Sequence, residues 1–307
     1  MTSATLPVAA AADARRGRYI AELLAMHERM SLRCMLDHVE PLYFQRRGDG
    51  RAVLTVRHSD LPERYQLGIY GFRLAQYLRI RLASERIAFQ RSLFAEPIAA
   101  EREEIHVLSL DERSGGIVQY VSIVGTADPR PRSVRDPERT PFPCEIAHRI
   151  RLFDRIPRIA AVGTDEIWEI KRLVQRGQLP DQTLDLRLRL SLELMHGFYS
   201  TLHLLRPSVK YLVGDGEEGL AIQRLSRSLR EIIVLEGTSP WLPEDDLLAP
   251  AYVERAVVKP FVAAIPEPDR LGALVTRLDE ALAMDNPLAG FKHVVNHVQG
   301  TIRRIRI

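Results

Sequence analysis

Three charged side chains within four residues, Glu169, Lys171 and Arg172, stand in a stretch that otherwise has the composition of a strand, DEIWEIKRLV (Asp165 to Val174). Side chains alternate along a regular strand, so Glu169 and Lys171 share one face, and Trp168, Ile170 and Arg172 the other. One reading pairs Glu169 with Lys171 on a solvated face and leaves Arg172 as a buried guanidinium that needs a carboxylate. The other puts Glu169 in a cleft as a base or substrate anchor, with Arg172, re-aimed by a bulge, holding an acceptor or a neighbouring acid. A carboxylate so placed can serve as a general base.

Other constellations offer less. Gly214-Asp215-Gly216-Glu217-Glu218-Gly219 fits GxGxxG, between a strand-like run and a helical one, with Glu236 about 20 residues on. Asp215, Glu217 and Glu218 would set three negative charges where a pyrophosphate must approach, so the glycines are expected to serve as turn residues. Glu193, His196 and His203 share one helix face, but a di-iron bundle needs a second such helix. Glu103 with His106 and Glu145 with His148 fall in or beside strand-like runs, where residues three apart point to opposite faces. No metal site is expected. No GxxxxGK[ST], GxSxG or HExxH occurs to support a P-loop, serine-hydrolase or zincin reading.

The elements that must position these residues can be traced along the 307-residue chain, which is 46% hydrophobic and 27% charged, as ordinary globular proteins are. Helical spacing appears from Ala14 to Met30 and over Leu61 to Arg91, with Pro62 where a first helical turn tolerates proline. RAVLTVRH (Arg51 to His58) alternates as a short strand. Two runs, Glu104 to Asp111 and Gly116 to Gly125, are joined by a glycine-containing turn as an antiparallel hairpin. A proline- and arginine-rich loop leads to CEIAHRIRLF and the strand of Glu169. Leu184 to Leu205 is a strong helix; Val209 to Asp215 a strand; Leu220 to Leu229 a helix. REIIVLEG and AYVERAVVKPFVAA are strand-like, and Leu271 to Met284 and Gly290 to Val298 helical.

This order predicts an α/β (α+β) fold, a mixed sheet with helices on its faces. Polar, proline-containing links, EPLYFQRRGDG and AAIPEPDR, divide it into a helical extension at 1–60, a main domain at 61–265 and a helical tail at 266–307. The terminal TIRRIRI is expected to be a frayed tail, and PRPRSVRDPER (Pro129 to Arg139) a solvated loop. A formal charge of +3 gives no reason to expect nucleic acid. Two distant cysteines, Cys34 and Cys144, do not form a disulfide framework, and no run is apolar enough to span a membrane. A cytoplasmic location is expected.

The strand Glu169-Ile170-Lys171-Arg172 resembles the E-[IL]-S-R strand of acyl-homoserine-lactone synthases and the related N-acyl amino acid synthases, which share the GNAT acyltransferase fold. The order around it is similar too. Gln66 to Tyr70 resembles their R-x-x-V-[FY] helix segment, Glu101-Arg102-Glu103-Glu104 an acidic stretch before a strand, and Pro143-Cys144-Glu145 their P-x-E. Gln66, Ser122 and Lys171 stand where the family has arginine, arginine and serine. The resemblance spans about Leu61 to Ala264 and implies transfer of an acyl group to a small, amino acid-like amine. The donor is implied to be acyl-CoA or the phosphopantetheine thioester of an acyl carrier protein, and no cofactor is bound permanently. It implies Glu169 and Arg172 as catalytic residues, and Glu104, Lys171, Leu173 and Val174 as substrate-binding ones, the apolar pair lining an acyl tunnel with Met195 and Phe198. The alternative is a GNAT-like binding or regulatory protein without catalysis.

Overall fold

The computed structural model describes residues 8–97, 102–159, 161–177, 183–206, 208–254, 258–296 and 300–306. In chain order these form α1 (Val8–Glu28), β1 (Tyr43–Arg46), β2 (Arg51–Arg57), α2 (Glu63–Arg79), α3 (Glu85–Gln90), β3 (Glu104–Asp111), β4 (Ile117–Val124) and α4 (Pro143–His148). There follow β5 (Ile167–Gln175), α5 (Leu184–Leu205), β6 (Tyr211–Glu217), α6 (Gln223–Ser226), β7 (Glu231–Glu236), β8 (Val258–Ala264), α7 (Pro268–Ala283), α8 (Pro287–Val295) and β9 (Thr301–Arg306). The helices begin where local chemistry starts them. The Thr183 hydroxyl accepts from the Leu186 amide at 3.2 Å, Ser84 caps α3 in the same way, and Pro268 and Pro287 open α7 and α8.

One nine-stranded mixed sheet runs in the order β1-β2-β3-β4-β5-β6-β8-β7-β9. β1 to β5 form an antiparallel meander; β5 pairs parallel with β6, and β7 parallel with β9. Strand alternation splits the core into two faces. On one, Leu54, Leu108, Tyr120 and Val174 pack against α1 and α2, and the layer continues as Ile167, Val213, Ile233 and Val262 against Phe142, Cys144 and Phe153. On the other, Ile105, Val107, Val121, Ile123, Trp168, Leu212 and Phe261 pack against α5, α7 and α8.

The mixed sheet flanked by helices and the Glu104–Val124 hairpin are those read from the sequence. Several boundaries differ. The link EPLYFQRRGDG contains β1, and β2 also lies before residue 61, so residues 1–60 bring two strands to the sheet and are not purely helical. Residues 266–307 likewise end in β9, not a frayed tail: TIRRIR gains a full parallel ladder from β7. The first half of CEIAHRIRLF belongs to α4, whose Pro143 fixes the first helical position, and the rest to the turns that follow it. Gly214 and Gly216 lie inside β6, not in a turn. A Cβ at Gly214 would stand 3.0 Å from the Ile170 side chain and carbonyl, so this glycine permits close approach of β5 and β6. Among the described residues, no helix is long and apolar enough to cross a membrane.

Candidate active site

β5 carries an irregularity that decides where its charges point. Ser122 is opposite Lys171 and Tyr120 is opposite Val174, so one β4 residue, Val121, faces two on β5, Arg172 and Leu173. Arg172 takes φ +62, the left-handed region that side chains rarely occupy. This bulge breaks the alternation. Arg172 turns toward α2, its guanidinium 5.6 Å from the centre of the Tyr77 ring, on the same side of the sheet as Ile167 and Glu169. The bulge anticipated for Arg172 is present, and its carboxylate partner is Glu96.

A chain of buried polar groups crosses the sheet beneath α2. Arg172 donates from Nε and one Nη to Glu96 Oε1 at 2.9 and 2.6 Å, and Arg73 Nε donates to Glu96 Oε2 at 2.8 Å. Arg73 also donates to Glu104 Oε1 at 3.0 Å, while the Tyr70 hydroxyl donates to Glu104 Oε2. Tyr120 links Glu104 to His106, and His106 Nε2 stands 3.1 Å from His58 Nδ1. Burial alone would raise the Glu96 carboxyl, but the two guanidiniums hold it down at about 2. Glu104 does not meet Arg172; Arg73, which α2 inserts, and Glu96 lie between them.

Glu169 begins a second polar group at the same sheet face. It is 2% exposed, and its Oε2 accepts the Cys144 backbone N–H at 3.2 Å, at the start of α4. Removal from water pushes its carboxyl up to about 7; Lys171 acts against that shift, and Asp215 adds to it. Burial and the neighbouring Arg172 in turn lower the Lys171 ammonium. Tyr252, from the turn at Pro250–Glu254, donates to Asp215 Oδ1 at 3.2 Å, and His148 Nε2 stands 3.6 Å from Asp215 Oδ2. The parallel pairing of β5 and β6 covers Ile167 to Glu169 and stops there, although both strands run on, so Glu169 sits where they part.

The remaining sequence candidates scatter. Val174 is a core residue on α2's side, and Leu173, pushed outward by the bulge, is 46% exposed. Met195 and Phe198 pack on the opposite face of the sheet, so they share no tunnel with Glu169. Glu145 is bound by Arg139, both buried, with distances of 2.7 and 2.6 Å, which takes Arg139 out of the solvated loop. Sequence reasoning missed Arg73, Glu96, Asp215 and Tyr252. Arg73 had a signal: it lies three residues from Tyr70 and four from Tyr77, on the apolar stripe of a helix, where a guanidinium demands an acid. Glu96 had none, since its partners are distant in sequence.

No protein-family profile and no curated protein matches the chain. Among solved structures it is similar to the AHL synthase LasI, at 13% identity and a TM-score of 0.41 over 70% of this chain and 90% of that one. It is also similar to BjaI, a CoA-dependent acyl-homoserine lactone synthase solved with SAM and isopentyl-CoA. There the identity is 16% and the TM-score 0.37, over 77% and 88% of the two chains. A third, the CoA-dependent acyl-homoserine lactone synthase MesI, gives 13% and 0.38 over 76% and 89%.

Proposed function

We propose that this protein is a GNAT-like acyltransferase that moves an acyl group from a coenzyme A or acyl carrier protein thioester to a small amine. The observation that supports this most is Glu169: a buried carboxyl, lifted to about 7, at the point where two parallel strands separate. A base poised near the working pH is what deprotonation of an ammonium group calls for. In this scheme Glu169 takes the proton, directly or through a water, and the free amine attacks the thioester carbonyl. Backbone N–H groups of β5 beyond Glu169, freed from pairing with β6, stabilise the oxyanion. Collapse breaks the C–S bond, and the thiolate leaves with a proton from solvent or a neighbouring acid. Arg172 acts through Glu96 by fixing the bulged backbone rather than by touching substrate.

One observation favours a second reading. Glu169 is almost wholly covered, with Cys144 on one side and the Tyr252–Asp215 pair on another, as suits a binding or regulatory protein without catalysis. Incubation with panels of acyl-CoA and acyl-carrier thioesters and amino acid-like amines separates the two. Release of free thiol together with an amide product seen by mass spectrometry, both lost in Glu169→Gln, supports the transferase. Thioester binding without turnover in the wild type supports the binding protein.

A further inference from the structure

We propose that His58, Glu104 and His106 form a binding site for one divalent transition-metal ion of the zinc class. The three side chains present one ligand atom each, and these lie within 4.8 Å of one another. Their placement follows from the sheet. Glu104 and His106 are two apart on β3 and so share a face, unlike the Glu103–His106 spacing, and His58 follows β2, whose Val56 is opposite His106.

The hydrogen-bond network fixes which nitrogens face the centre. Tyr120 donates to Glu104, so its oxygen accepts from His106 Nδ1–H at 2.8 Å. That assigns the proton to Nδ1 and leaves the Nε2 lone pair directed at His58 Nδ1, 3.1 Å away. An imidazole whose outer N–H is held by a hydroxyl is how protein metal ligands are oriented. Two metal–nitrogen bonds of about 2.0–2.1 Å spanning this separation subtend about 100°, near the tetrahedral angle. Glu104 already receives Arg73, Tyr70 and Tyr120, but a carboxylate offers about four lone-pair sites, so one remains.

Local charge says what completes the coordination. The carboxylates of Glu96 and Glu104 are matched by the guanidiniums of Arg73 and Arg172, so a dication adds uncompensated charge. The fourth ligand is therefore anionic: hydroxide, or a carboxylate or phosphate oxygen of a small molecule entering beside half-buried His58.

The test is titration of the full-length, chelator-treated protein with Co²⁺, followed by visible absorption, and with Zn²⁺, followed by calorimetry. One ion per chain with a low-coordinate cobalt spectrum is expected. His58→Ala, at a half-buried position that tolerates truncation, should abolish it. Tyr120→Phe, which keeps the ring but frees His106 Nδ1, should weaken it roughly 10- to 100-fold. The proposal is overturned if wild type takes up no ion, or if His58→Ala binds with unchanged affinity and spectrum, which would place the ion elsewhere. The readout does not involve acyl transfer, so it stands or falls apart from the transferase reading.

Discussion

Arg172 and Glu96, 76 residues apart in the chain, are joined by two hydrogen bonds of 2.9 and 2.6 Å, and the arginine meets its partner only because its own backbone is turned to φ +62. Truncating one member of a buried pair strands the other, at a typical cost of about 3–5 kcal/mol. Since Glu96 keeps Arg73, Arg172→Ala should fall at the lower end, about 3 kcal/mol. Arg172→Gly loses the same pair but relieves the left-handed backbone, and should be about 1 kcal/mol more stable than the alanine variant. Urea denaturation of both checks this; equal stabilities would show that the bulge imposes no strain.

Glu169 predicts a pH dependence of stability opposite to that of a salt-bridged acid. Its folded value of about 7 exceeds the ordinary 4.5, so the native protein holds a proton that the unfolded chain releases. The group costs nothing below about pH 4.5. As pH rises to 7 it removes stability, up to about 3 kcal/mol, and that cost stays in full above 7. Glu169→Gln should therefore have a higher Tm than wild type at pH 8 and nearly the same at pH 4. If Glu169 is the base, wild-type turnover rises through pH 7, and the variant loses about 10²- to 10⁴-fold. Coincident melting curves at pH 8 would show that the carboxyl is not held out of water.

How far the site was legible follows from these residues. That Arg172 needed an acid was readable from one strand, because a guanidinium among Trp168, Ile170 and Val174 has no other stable setting. Which acid was not: Glu96 comes from the segment after α3 and becomes a partner only when α2 docks on β5. Regular alternation alone puts the residues of β5 past Lys171 on the wrong faces, since a one-residue insertion reverses it and leaves no mark in composition; only the reading with a bulge at Arg172 gives the right ones. The same holds for β1 and β9, short edge strands rich in polar residues whose pairing depends on a neighbour and not on their own pattern.

The loop from Pro129 to Arg139 bears on the choice of acyl carrier. Arg139 is committed to Glu145 and Arg132 to Asp136, while Arg130 and Arg135 are exposed. If the donor is an acyl carrier protein with an acidic helix, Arg130→Glu and Arg135→Glu should each slow association on the order of tenfold at low salt, and added salt should erase the difference. Surface plasmon resonance against the acylated carrier measures this. Rates insensitive to both charge reversal and salt would remove this loop as the docking surface and leave coenzyme A as the favoured donor.

Gly214 tests whether the separation of β5 and β6 matters. A methyl group there would lie 3.0 Å from Ile170 Cγ2 and its carbonyl oxygen, and 3.2 Å from the Phe261 ring, closer than packed atoms settle. Backbone on one side and an aromatic ring on the other leave little room to yield, so Gly214→Ala should cost about 1–3 kcal/mol by overpacking. The strain falls one residue beyond the last paired positions, Glu169 and Val213, and its relief pushes β5 and β6 apart where Glu169 resides. The variant should therefore shift Glu169 toward its ordinary acidity as water gains access, and the rise of turnover with pH should move below 7. Gly197→Ala is the control, since its Cβ would clash with Val53 and Val107 on the far face of the sheet, at 2.5 and 3.0 Å, well away from β6. It should destabilise the protein while leaving the pH profile in place; a profile displaced equally by both substitutions would mean that the position of β6 does not set the acidity of Glu169.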